Sequence, residues 1–195
     1  MLSRYGRLGA SSRMRFYQYL PWLEAAGISI TAAPLFSDGY VRGLQQNTKN
    51  LFEAARAYAG RVQALLGSRQ FDLLWIEKEA LPWLPAWFEK ALLSGAVPYV
   101  LDYDDAVFHY YDQHRHPVVR ALLGGKHPAL IQRAALVVAG NAYLARRQYH
   151  GLLTKPKEND RPCASHYGSE DALYRERMQA LEPVLQQAPE FKSSR

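Results

Sequence analysis

The chain has one cysteine, Cys163, in 195 residues. A lone thiol excludes an intrachain disulfide and a cysteine-built metal site, and suits a reducing cytoplasm. No uninterrupted apolar run reaches the length of a membrane span, and the first residues have no signal-peptide apolar core, so a soluble or peripheral protein is expected. There is no basic run and no zinc-finger or RNA-binding signature, which ranks nucleic acid low as a partner despite the net charge of +6. The dinucleotide fingerprint G-x-G-x-x-G is missing as well. That weighs against a small nucleotide-binding oxidoreductase. No internal repeat occurs, so a solenoid is not expected.

What is present is the composition of an ordinary globular domain, 48% hydrophobic and 22% charged, long enough for one buried core and an appendage. Thirteen tyrosines and four tryptophans supply amphipathic rings that can pack in a core or stack on a ligand. The positive charge would suit phosphate-bearing partners without choosing among them.

Strands and helices alternate along the chain. Met1–Tyr5 is short for a first strand and leads into Gly6-Arg7-Leu8-Gly9-Ala10-Ser11-Ser12-Arg13, where Ser11 or Ser12 can cap a helix. That helix is expected from Arg13 to Ala26, stopped by Gly27 and kinked or broken at Pro21. Ile28–Ala33 alternates as a second strand, Phe36–Asn50 reads as a polar excursion with a turn at Ser37-Asp38-Gly39 and a short helix, and Leu51–Leu66 has helical apolar spacing up to Gly67. Phe71–Ile76 is a third strand, followed by a helix from Trp83 to Leu93. Helical segments near Val118–Leu123 and Pro128–Ala134 precede a strand at Ala135–Ala139, after which Gly140–Leu144 turns into another helix. Thr154–Ser165 reads as linker, and Ser169-Glu170-Asp171 caps a last amphipathic helix to Gln187. The pattern predicts an α/β fold, a doubly wound parallel sheet with a C-terminal helical tail, divided at 1–147 and 148–195.

The most informative stretch is Tyr99–Phe108. An apolar strand-like run ends in Asp102, Asp104 and Asp105, delivering acids to the carboxyl edge of a parallel sheet, where ligands bind. One of these carboxylates could accept a proton from a hydroxyl or orient it; Asp102-x-Asp104 could hold a divalent metal; or the group could cap a helix. Strand alternation would send 102 and 104 to one face and 105 to the other. Glu77 and Glu79 end the preceding strand at the same edge, either as ligand contacts or as solvated carboxylates. His109, His114, His116 and His127 have irregular spacing and read as exposed loop histidines, His109 being the one nearest the acids. Asn141 follows the last strand and reads as a helix cap facing the cleft. The Gly6–Arg13 loop, by spacing alone, is an ordinary βα turn.

Four segments together are more specific. Ala10-Ser11-Ser12-Arg13-Met14-Arg15-Phe16-Tyr17-Gln18-Tyr19-Leu20-Pro21-Trp22-Leu23 with Glu24-Ala25-Ala26-Gly27, then Glu77-Lys78-Glu79-Ala80, Leu101-Asp102-Tyr103-Asp104-Asp105-Ala106-Val107-Phe108 and Val138-Ala139-Gly140-Asn141-Ala142-Tyr143-Leu144 occur in this order over residues 1–147. This resembles the N-terminal, Rossmann-like domain of bacterial family-4 glycosyltransferases of the GT-B type. The resemblance implies retaining transfer of a hexosyl group from a nucleotide-sugar donor to a sugar or lipid-linked acceptor, at the cytoplasmic side, with peripheral membrane contact left open. It implies that the acceptor is held by Gly6, Gly9, Ser12, Arg13, Arg15, Glu77, Glu79, His109 and Asn141, with Asp104 and then Asp105 at the reacting centre. Such enzymes generally do without a bound metal, so no cofactor is expected. Two departures stand out: the first strand is clipped at Met1, and the donor-binding domain is replaced by an unfamiliar tail. A truncated product or one half of a split enzyme is therefore expected. The alternative is a non-catalytic carbohydrate- or anion-binding module on the same core.

Overall fold

The computed structural model describes residues 1–46, 51–94, 97–141 and 143–144, and the backbone of 163–165. The expected tail helix from Ser169 lies outside the described residues. The chain divides into two compact units, Met1–Ser68 and the residues from Arg69 onward.

In the first unit, Met1–Arg4 runs parallel to Thr31–Phe36 through Ala33 N–H to Met1 O (2.9 Å) and Leu35 N–H to Ser3 O (2.9 Å), ending at the Tyr5–Phe36 bridge. The alternating Ile28–Ala33 is thus extended but does not form the regular strand expected; its bonds go to the short N-terminal segment, too brief to build a ladder. The helix predicted from Arg13 to Ala26 is two helices, α1 (Ala10–Arg15) and α2 (Leu20–Ala25), with a 3₁₀ turn at Tyr17–Tyr19 between them. Pro21 stands in the first turn of α2, where its missing N–H is harmless, so the break falls one turn earlier. Gly27, at φ +80, then ends α2. No serine caps α1: Gly9 is the N-cap, and Ser12 instead accepts from Tyr5 N–H at 3.1 Å. The turn read at Ser37–Gly39 is a helix start, with Ser37 Oγ accepting from Tyr40 N–H to cap α3 (Asp38–Gln45). Next comes α4 (Leu51–Leu66), bounded as its periodicity implies. Phe16, Tyr19, Leu23, Leu35 and Leu65 are buried, and the buried Arg61 donates to Ser3 O at 2.6 Å.

The second unit holds a small parallel sheet: β1 (Leu74–Glu77), β2 (Tyr99–Tyr103) and β3 (Leu136–Ala139), extended by β4 (Cys163–Ser165) in the order β1-β2-β3-β4. Three residues of the stretch expected to be linker therefore pair with the sheet. Every residue of β1 to β3 is buried, as a parallel sheet requires. Between β1 and β2 lies α5 (Ala86–Leu93); between β2 and β3 lie α6 (His109–Asp112), α7 (Pro117–Leu123) and α8 (Lys126–Ile131). The registers Glu77 with Asp102 and Tyr103 with Ala139 bring the carboxyl ends of three strands level. Among the described residues no helix is long and apolar enough to cross a membrane.

Candidate functional site

At the end of β1 the backbone turns sharply. Lys78 has φ +64, a left-handed conformation that a β-carbon disfavours, and Glu79 N–H bonds back to Glu77 O at 2.7 Å. This is a γ-turn centred on a lysine, a rare and strained form. Lys78 N–H still bonds to Asp102 O at 2.9 Å, anchoring the turn to β2. The side chain, only 6% exposed, places Nζ 2.8 Å from Asp104 Oδ1 and 3.1 Å from Asp105 Oδ2. Burial works against the ammonium, but the two carboxylates outweigh it and hold the Lys78 pKa above its ordinary value.

The three aspartates do not divide as strand alternation predicts. Alternation stops with β2 at Tyr103, so Asp104 and Asp105 curl together onto Lys78, while Asp102 is buried and accepts from Trp75 Nε1 at 3.2 Å. Asp105 is 58% exposed at the sheet's edge, whereas Asp104 is 22% exposed and its Oδ1, which faces Lys78, is buried.

Behind this edge lies a buried charged cluster. Lys126 Nζ meets Glu79 Oε2 at 2.6 Å and Glu89 Oε2 at 3.0 Å, and donates to Leu81 O at 2.5 Å. Glu89 also accepts from the amides of Ala80 (2.6 Å) and Leu81 (3.2 Å), and Tyr111 donates to Glu79 at 2.8 Å. Trp83, a second non-glycine residue at positive φ, gives its N–H to the Tyr111 oxygen at 2.9 Å. Burial alone would raise the Glu79 pKa, yet the charges of Lys126 and His127 and the hydrogen bonds of Lys126 and Tyr111 lower it. Tyr103 bonds His127 Nδ1 at 3.0 Å, and burial, then the nearby Glu79 and Glu89, push its phenol well above the usual range. Glu79 is therefore not a solvated carboxylate but a buried one, held by Lys126 and Tyr111. Glu77 is buried too.

His127 is buried in α8 against Tyr103, Phe108 and Tyr111, which corrects its reading as an exposed loop histidine. His109 opens α6 rather than lying in a loop. Asn141 Oδ1 accepts from Leu144 N–H at 2.9 Å and is a cap. Among the described residues no cluster of histidine, cysteine and acidic side chains could hold a metal ion.

In the first unit, Gly6 and Gly9 are buried, and the space their side chains would need is already filled. A β-carbon on Gly6 would sit 2.4 Å from Asp38 Oδ1, and one on Gly9 would sit 2.4 Å from Tyr5 Cβ. Asp38 Oδ1 accepts from Leu8 N–H at 3.2 Å, so the loop's own donor already serves a carboxylate. Arg13 is exposed and reaches Arg7 O at 3.4 Å, Arg15 is half-buried, and Ser12 is buried. Because φ at Gly9 is an ordinary −73, only contact makes glycine necessary there. Gly9→Ala is expected to cost about 1–3 kcal/mol through displacement of Tyr5, read as a lower urea midpoint with an unchanged slope.

Lys78, Lys126, Glu89 and Tyr111 were not singled out by sequence reasoning. The one signal for Lys78 was its place between two glutamates at a strand end. Lys126 carried none, because its partners are far back in the chain. No family of known proteins, no curated protein and no solved structure matches the chain.

Proposed function

We propose that the chain is the acceptor-binding half of a retaining glycosyltransferase, on a doubly wound, Rossmann-like N-terminal half of the GT-B type, using a nucleotide-sugar donor whose site lies mostly outside this chain. One observation carries the reading: Asp104 and Asp105 stand at the carboxyl edge of a parallel sheet, both held by a buried lysine on a strained γ-turn. Strain of this kind persists where surrounding contacts enforce it, and it clusters at ligand clamps. Paired with the Lys78 ammonium at 2.8 and 3.1 Å, the two acids are suited to orient an acceptor's hydroxyls by hydrogen bonding. The four sequence segments that resemble family-4 enzymes add the transfer chemistry. A cytoplasmic site follows from the nucleotide-sugar donor, with membrane contact where the acceptor is lipid-linked.

The test is titration of the purified chain with a panel of mono- and disaccharides, followed by amide chemical shifts. Saturable shifts at Lys78, Asp104 and Asp105 are expected, weakened about tenfold, or 1.4 kcal/mol, in Asp104→Asn/Asp105→Asn. No turnover of nucleotide sugars by the chain alone is expected. Saccharide-independent spectra across the panel would overturn the reading.

A further inference from the structure

A second constellation stands on the segments that follow β2 and β3. His109 Nδ1 lies 2.9 Å from Asp112 Oδ1, and His109 Nε2 lies 2.8 Å from the Tyr143 hydroxyl. An ionised Asp112 can only accept, so it draws the imidazole proton to Nδ1 and leaves the lone pair on Nε2 facing the phenol. Gln113 Nε2 lies 2.9 Å from the same Nδ1, and since the ends of an amide interchange by a flip, a proton on Nδ1 places the Gln113 oxygen there instead. The His109 and Asp112 side chains are each 26% exposed, whereas Tyr143 is 55% exposed. A partly sheltered acid and base thus end on an accessible hydroxyl. This is the order acid, imidazole, hydroxyl that activates an oxygen for proton transfer, with the acid orienting the base.

We propose that Asp112, His109 and Tyr143 form a proton relay whose working end is the Tyr143 oxygen, and that this oxygen receives a proton from a ligand hydroxyl. A hydroxyl bonded to Tyr143 Oη passes its proton to that oxygen while the phenol's own proton moves to His109 Nε2. The ligand oxygen is left with the electron pair of the broken O–H bond, and the imidazolium formed faces the Asp112 carboxylate. Asp112 is a positioning residue in this scheme. Naming a sugar hydroxyl as the ligand rests on the acceptor reading above; the activation of Tyr143 does not.

N-Acetylimidazole tests the relay without any sugar. Its acetyl carbon is attacked by the Tyr143 oxygen while the phenol proton goes to His109, and the bond to imidazole breaks as the departing imidazole nitrogen takes up that proton. Tyr110, in the same α6 and 64% exposed, is the internal reference. Peptide mapping by mass spectrometry at pH 7 is expected to show Tyr143 acetylated about tenfold faster than Tyr110, taking a conservative value for general-base assistance. His109→Gln should bring the two rates together, and Asp112→Asn should fall between. Equal rates in the unaltered protein, or a Tyr143 rate indifferent to His109→Gln, would overturn the relay. Fast acetylation in a chain that binds no saccharide would leave the relay standing and remove only the acceptor reading.

Discussion

Lys126→Met is expected to destabilise the chain by about 3–5 kcal/mol at neutral pH, the cost of leaving buried charge without its partner. The ammonium sits between Glu79 and Glu89, both of them buried, and also serves Leu81 O. Methionine keeps much of the side chain's length and apolar volume, so packing changes little and the loss falls on electrostatics. Two buried carboxylates would then face each other without the ammonium that now bridges them. Urea denaturation measures the loss. Adding Glu79→Gln to Lys126→Met should recover part of it, because one of the stranded charges is removed; a double variant as unstable as the sum of the two singles would show that the three groups do not act as a unit.

Glu79→Gln alone is expected to cost roughly 3 kcal/mol at pH 7, with a dependence on pH that identifies the cause. Glu79 has a folded-state pKa below its ordinary value of 4.5, lowered by Lys126 and its neighbours against the opposing pull of burial. A depressed carboxyl contributes stability that is present above the unfolded pKa and lost as pH falls through the folded one. The gap between the parent chain and Glu79→Gln should therefore be constant above about pH 5 and narrow at lower pH. Lys78 has the opposite sign. Its raised pKa gives stability that is complete below the ordinary value of 10.5 and lost as pH rises through the folded one. A gap for Glu79→Gln that is equally wide at pH 3 and pH 7 would show that the residue acts through packing rather than charge.

Both predictions concern a cluster that was not legible in the sequence, whereas much of the fold was. Leu51–Leu66 and Leu136–Ala139 announce themselves through local periodicity or a bounded apolar run, and their places in the structure follow. Pro21 correctly signals an interrupted helix, although a proline near the start of α2 does not itself mark where α1 ends. The acids after β2 were legible as a group at a strand end. Their division was not, because a period-two rule holds only while the strand lasts, and here it lasts to Tyr103. Glu79 was legible as a carboxylate but not as a buried one. Its burial depends on Lys126 and Tyr111, which reach it only through the tertiary fold. The γ-turn at Lys78 left no mark at all, since no glycine or asparagine stands where the left-handed backbone would favour one.

The carboxylate lodged against Gly6 decides how much room that loop has. A phosphate approaching that loop would meet like charge and would have to evict Asp38 from Leu8 N–H before gaining a donor of its own. The loop that looks by composition like an open cradle is thus already filled, its Leu8 donor taken by the chain's own Asp38.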